Sequence, residues 1–365
     1  MDRRGGSLAL FIIIFMLCSP AAFARDDPAD ASRDDEAAAL APEPARNDSS
    51  RLPVRITLFW ENDGTIPRPW TEDDEHYTNG LKIDLAWRPE WAQRLAPHVP
   101  FHDHFPGDVS TAVGLSVSQL MFTPEDITRE VPQENDRPYA GWLAASFYWQ
   151  RAGEFSDRLA MFDHIELDLG VVGPASGAQA LQELVHSTWP DQEEPEGWSH
   201  QLDNEFAANL TLRRKWRFSS GHSDDGFEFQ AIPSLGGTVG TVYRQLEVSL
   251  TARLGWNLPD DFGPPRLADV GAATGDWNTR FGLYVFARGG MRAVQHNIFL
   301  DGNTFSSSLS QSKEPLVLEA QLGVAVLLWD HLELGWSQTL VTEEFRRQSG
   351  GDAYGALTIS WRTRF

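Results

Sequence analysis

The sequence is poor in the features that usually assign a chain quickly. It has one cysteine, Cys18, in 365 residues. That residue falls in the N-terminal 24, so disulfides and thiolate-bound metals are excluded from the rest of the chain. Basic residues are also scarce: 30 Lys and Arg against 52 Asp and Glu leave a formal charge of −22. Such a balance disfavours nucleic-acid binding, which needs a surplus of cations to neutralise phosphates. It leaves plain solubility or a surface that recruits divalent cations. Beyond residue 24 no uninterrupted apolar run reaches the length of a membrane-crossing helix. No Gly-x-Ser-x-Gly elbow occurs, the nearest string being Gly173-Pro174-Ala175-Ser176-Gly177 with the wrong spacing. His98, His102 and His104 have no fourth-ligand pattern nearby and read as loop histidines. A phosphate-cradling glycine loop is missing too.

What is present falls into three parts. Residues 1–24 carry Arg3 and Arg4, an apolar stretch Leu8–Cys18 and an Ala22-x-Ala24 ending, the pattern of a secretory signal cleaved before Arg25. Residues 25–51 are Asp, Glu, Ala, Pro and Ser without an apolar period, and read as a disordered acidic linker. Residues 52–365 change to short, alternating, aromatic-rich runs bounded by turn residues.

The expected strands are Val54–Trp60, Gly80–Trp87, Thr111–Met121, Gly141–Arg151, Phe162–Val171, Asn209–Ser219, Phe227–Gly236, Thr241–Trp256, Arg280–Val294, Pro315–Trp329, His331–Val341 and Ala353–Phe365. Alternation is clearest near the end, where Leu316, Leu318, Ala320, Leu322 and Val324 share one face, as do Leu357, Ile359 and Trp361. In water this pattern means a half-buried sheet; in a bilayer it means a closed barrel, because hydrocarbon tolerates no unpaired backbone. The fold class expected is all-β, a transmembrane antiparallel barrel of about twelve strands. Fourteen tryptophans, mostly near run ends, read as an aromatic girdle, and the chain closes on an alternating strand ending in Phe365. One segment breaks the pattern: Ala175–Trp189, between Pro174 and Pro190, spaces Ala178, Leu181 and Val185 as a helix. A helix between barrel strands belongs in a loop, and Gln182 and His186 share one of its faces.

Three stretches carry chemistry: Glu61-Asn62-Asp63, Tyr77-Thr78-Asn79-Gly80, and His186. Asn62, Asp63 and Thr78 offer oxygen ligands of the kind Ca²⁺ accepts, and a histidine suits proton removal from water. Composition alone reads Asn-Asp after a strand as a turn, and His186 as a surface helix histidine.

Taken together and in order, several strings resemble the outer-membrane lipid A 3′-O-deacylases. They are Glu61-Asn62-Asp63, Asp74-x-x-Tyr77-Thr78-Asn79-Gly80, Phe122-Thr123-Pro124 and Asp136-Arg137-Pro138-Tyr139-Ala140-Gly141-Trp142-Leu143. Gly170-Val171-Val172-Gly173-Pro174 with Gln182 and His186, and Gly197-Trp198-x-x-Gln201-Leu202-x-Asn204-Glu205, follow. Thr342-x-Glu344-Phe345 and Tyr354-Gly355 complete the series. The resemblance implies a twelve-stranded barrel in the bacterial outer membrane that removes the 3′-linked acyloxyacyl chain of lipopolysaccharide lipid A in a Ca²⁺-dependent reaction. It makes His186 the general base, with Asn62, Asp63 and Thr78 around the cation and Asp63 the first choice of ligand. The site is expected on the outer face near the extracellular rim, under the loop helix, in a barrel acting as a monomer. Arg129 keeps a basic position suited to a lipid A phosphate, although Glu125, Asp126 and Glu130 surround it. Where that family has a catalytic glutamate after the histidine, Gln192 keeps the spacing here, and Glu193 or Glu194 serves only if the loop shifts. A non-catalytic porin or structural barrel and an outer-membrane phospholipase are the alternative readings.

Overall fold

The computed structural model describes residues 53–63, 76–105, 109–188, 193–221, 226–275 and 280–364. The expected signal, the acidic linker, Gln192 and Phe365 lie outside them. Twelve antiparallel strands run in order: β1 (Pro53–Asn62), β2 (His76–Trp87), β3 (Val109–Thr123), β4 (Ala140–Ser156), β5 (Leu159–Val172), β6 (Glu205–Ser219), β7 (Phe227–Gly240), β8 (Tyr243–Trp256), β9 (Phe281–Asn297), β10 (Leu316–Leu328), β11 (Leu332–Val341) and β12 (Asp352–Arg364). Each pairs with its sequence neighbours, and β1 closes on β12. The sheet therefore has no free edge, and its backbone groups are satisfied within the wall.

Alternation decides which side faces where. On β10, Leu316, Leu318 and Leu322 point outward and are exposed, while Val317, Glu319 and Gln321 between them are buried inside. On β12, Leu357, Ile359 and Trp361 are outside and Ser360 inside. An apolar belt around a charged interior inverts the arrangement of a soluble protein, and only a hydrocarbon surrounding rewards it. The strands do the crossing; no helix among the described residues is long and apolar enough.

The interior is filled. Residues 257–275, which follow β8, fold back into the barrel as a plug. Arg55 donates to the carbonyls of Ala272 at 2.8 Å and Val270 at 2.9 Å, Lys215 to that of Phe262 at 3.1 Å, and Gln150 to that of Gly271 at 2.9 Å. From the other end a short helix, α3 (Ile298–Asp301), inserts Phe299, which stacks on Phe122 with ring centroids 4.1 Å apart. Buried cations pair with carboxylates throughout, as Arg253 does with Asp261 and Arg288 with Glu319; a buried charge without a partner would cost several kcal/mol. A cavity of about 190 Å³ remains, lined by charged groups that include Glu61, Lys82, Glu166 and Arg266.

The long connections lie mostly at the end where β1 finishes, which identifies that rim as extracellular. Strands extend further towards it than alternation predicts: β2 begins at His76 rather than Gly80, and β9 runs to Asn297 rather than Val294. There the outward residues turn polar or are covered by loops, so the apolar signal stops before the strand does. The expected loop helix is a 3₁₀ turn, Pro174–Ser176, followed by α2 (Ala178–Thr188). Gly177 at φ +71° separates the two. Sequence gave no sign of α1 (Glu90–Leu95), which packs Ala92 against Val113 and Trp149 on the outer surface at the periplasmic rim. The girdle expectation is corrected in part. Trp91, Trp256, Trp329 and Trp361 are exposed, but Trp142 sits in the luminal core and Trp198 is buried beneath α2.

Candidate active site

The ends of β1 and β2 build the oxygen-rich cluster. Asn62 pairs with Asn79 across the ladder, and the register shifts between Tyr77 and Asn79, leaving Thr78 as a bulge. A bulge turns one extra residue out of the ladder. Here it directs the Thr78 carbonyl to the Asn62 amide, which donates from Nδ2 at 2.8 Å, and to the Asp63 N–H at 3.5 Å. The Thr78 hydroxyl lies 2.7 Å from that of Thr123 on β3. Asn62, Asp63 and Thr78 thus come together as expected, and Asp63 is only 1 % exposed. Both oxygens of Thr78 are already engaged, so it acts as the hub of the cluster.

The neighbouring motif residues face the other way. Glu61 points into the lumen, where it accepts from the Tyr77 hydroxyl at 2.7 Å and from the Leu267 N–H of the plug at 3.3 Å. Gly80 is required there: a β-carbon would lie 2.1 Å from the Tyr77 oxygen and 2.7 Å from a Leu267 methyl.

Helix α2 lies on the outward face of β3 and β4. Ala178 and Leu181 pack against Met121, Tyr139 and Trp198, and Gln119 donates to the Ser176 carbonyl at 2.6 Å. Trp198 pins the helix by donating its indole N–H to Gln182 Oε1 at 2.7 Å. Gln182 Nε2 is buried with no acceptor among the described residues. This donor shares a helix face with His186, and the sequence assigned it no role beyond that spacing. Tyr139 is held in turn by the Ile127 carbonyl at 3.0 Å, and burial pushes its phenol up.

His186 is half-buried, and its Nδ1 hydrogen-bonds the main-chain carbonyl of Glu193. A carbonyl only accepts, so Nδ1 carries the proton and Nε2 is left as the basic nitrogen. His186 makes this bond rather than one to Asn62, Asp63 or Thr78. The side chains of Glu193 and Glu194 are exposed. Arg129 stands apart at the rim, about half exposed and 3.9 Å from Asp126, beside a 440 Å³ cavity shared with His76, Gln133 and Arg347.

The Asp136–Trp142 motif is scaffold. Arg137 is buried, donating to the His76 carbonyl at 3.0 Å and to Glu344 at 2.8 Å, and so ties β2 to the β11–β12 loop. Burial would raise Asp136, but bonds from His76 and from the Glu125 and Arg137 N–H groups outweigh it and hold the carboxyl below its usual range.

The donor set around Asp63 fits a hard divalent cation. It offers a buried carboxylate from Asp63 and an amide from Asn62, oxygen donors with no sulfur among them. Among the described residues no three His, Cys, Asp or Glu side chains form a group that could hold a metal ion by themselves. A bound ion would therefore draw its remaining ligands from water or substrate oxygens.

Comparison with known proteins supplies the lineage. Among solved structures the chain is similar to LpxR from Salmonella typhimurium at 18 % identity, covering 84 % of this chain and 99 % of that one with a TM-score of 0.65. The translocator domain of the autotransporter NalP from Neisseria meningitidis matches at 8 % identity over 85 % of this chain and 87 % of that one, with a TM-score of 0.40. The transport unit of the autotransporter AIDA-I from Escherichia coli matches at 11 % over 96 % and 97 %, with a TM-score of 0.39. No curated protein matches. The model of the family described as outer membrane protein LpxR matches residues 10–363. With that match spanning nearly the whole sequence and a closed twelve-stranded barrel to go with it, this chain belongs to the LpxR family of bacterial outer-membrane proteins.

Proposed function

We propose that the protein is a lipid A deacylase that hydrolyses the 3′-linked acyloxyacyl ester from the outer face of the barrel, with His186 as base and Ca²⁺ as cofactor. One observation carries the reading. The Glu193 carbonyl fixes the tautomer of His186, leaving Nε2 as a proton acceptor on a helix laid over β3, the strand whose Thr123 completes the Asn62–Asp63–Thr78 cluster.

His186 Nε2 takes a proton from water, and the oxygen attacks the ester carbonyl carbon to give a tetrahedral oxyanion. The bond to the sugar oxygen breaks, and the proton held by His186 passes to that oxygen. The products are a free fatty acid and a lipid A with one hydroxyl exposed. Asp63 and Asn62 would hold the cation, which would supply polarisation of the carbonyl and a positive charge to offset the oxyanion. Thr78 keeps both in register, and Arg129 at the rim would meet a lipid A phosphate.

Lipid A extracted from cells with and without the protein, weighed by mass spectrometry, tests the reading. The wild type should remove one acyloxyacyl chain, chelation of Ca²⁺ should stop it, and His186→Ala should lower the rate about 10²- to 10⁴-fold, the usual share of a general base. Unchanged lipid A with Ca²⁺ present would end it. Loss of acyl chains from glycerophospholipids instead would favour the phospholipase reading. The filled interior argues against a porin.

A further inference from the structure

We infer that the β3–β4 side of the barrel is shaped to thin the surrounding membrane, so that lipid headgroups sink towards the helix that carries His186. The lipid-facing belt is far from uniform around the circumference. On β10 every outward residue from Leu316 to Leu328 is apolar and at least partly exposed. At about 3.4 Å per residue and a tilt near 40°, that run spans roughly 30 Å along the membrane normal. On β3 only Leu115 and Val117 are exposed outward, at 49 % and 55 %. The next outward residue on one side, Val113, is covered by α1, and beyond Gln119 on the other, Met121 is covered by α2. The run from Val113 to Gln119 spans at most about 15 Å. On β4, similarly, the partly exposed Leu143 and the exposed Ala145 and Phe147 are the outward residues between a covered Trp149 and a covered Gly141.

What covers the two ends cannot sit in hydrocarbon. Helix α2 presents Gln179 and Glu183, and α1 presents Glu90 and Arg94. At the periplasmic end the outward positions of β4, β5 and β6 hold Arg151, Asp163 and Arg214 in one ion cluster, with Arg151 bonded to the carbonyls of Val99 and Pro100. Irregular, charged chain of this kind is confined to headgroup depth. A bilayer meets a short belt by thinning beside it.

The functional consequence rests on the proposed hydrolysis. The ester of a lipid lies just below its headgroup, so a dip on this side brings carbonyls level with α2 without the lipid leaving the leaflet.

The signal-free chain has no native cysteine, so single-cysteine labelling is direct. Leu115→Cys, Val117→Cys and, as reference, Leu322→Cys would carry a bimane label on the refolded barrel in dioleoylphosphatidylcholine vesicles. Their depth is read by quenching with headgroup- and chain-labelled nitroxide lipids, and folding is checked by heat-modifiable gel mobility. Both β3 labels should lie about 7 Å nearer the polar boundary than the β10 label, half the difference in belt height. Equal depths on β3 and β10 would overturn the inference while leaving the deacylase reading intact. The expected depths without lipid A hydrolysis would sink the deacylase reading alone.

Discussion

Gly141 offers a sharp test of how the barrel wall positions the loop helix. A β-carbon built there lies 2.4 Å from the Ala178 β-carbon and 2.2 Å from the Ser176 hydroxyl. Non-bonded carbons rest no closer than about 3.5 Å. Gly141→Ala therefore forces the start of α2 outward by about 1 Å, and His186 rides on the same helix just over two turns further on. A displacement of that size at a reacting group costs on the order of 10²-fold in rate, while overpacking of this kind costs about 1–3 kcal/mol of stability. The variant should still migrate as a folded barrel yet deacylate lipid A about a hundredfold more slowly. Gly289→Ala is the matched control, because a β-carbon there meets nothing within 4 Å. Equal turnover by Gly141→Ala and Gly289→Ala would show that the contact between β4 and the helix start does not set the position of the proposed base.

Because plug and cap fill the lumen, planar bilayers holding the protein should show no steady ohmic conductance; stable open channels would contradict the closed interior. Tyr77→Phe removes a donor from the buried Glu61 carboxylate, and should lower the melting temperature by an amount equivalent to about 1–3 kcal/mol. A melting temperature equal to wild type would mean that Leu267 alone satisfies Glu61. Burial would raise Asp301, but bonds from His296, Lys313 and the Asn297 N–H outweigh it and hold its pKa at about 2. A carboxyl depressed in the fold adds stability that is complete above the unfolded value near 4 and lost as pH falls towards 2. The melting temperatures of wild type and Asp301→Asn should thus differ at pH 6 and converge by pH 2; a constant gap would refute the assignment.

The sequence made the wall legible and its contents much less so. β10 and β12 could be read because a belt in hydrocarbon forces strict alternation, and that signal is local. The Thr78 bulge was hidden, because a register shift depends on which strand lies opposite. The plug was hidden for a related reason: nothing in residues 257–275 marks a periplasmic connection that turns inward, since its partners Arg55, Gln150 and Lys215 come from three distant strands. Grouping Asn62, Asp63 and Thr78 was within reach because β1 and β2 are consecutive. The four-residue spacing of Gln182 and His186 is visible in the sequence, but the anchoring of Gln182 to Trp198 needs the return of the chain after α2.

The bond that orients His186 has an implication for how this loop tolerates change. Its acceptor is a peptide oxygen, which every amino acid supplies, so the imidazole is steered by the path of the chain and not by the identity of residue 193. Side chains there can be exchanged freely so long as the path survives. A proline that bends the path should silence the imidazole more thoroughly than removing the Glu193 carboxylate.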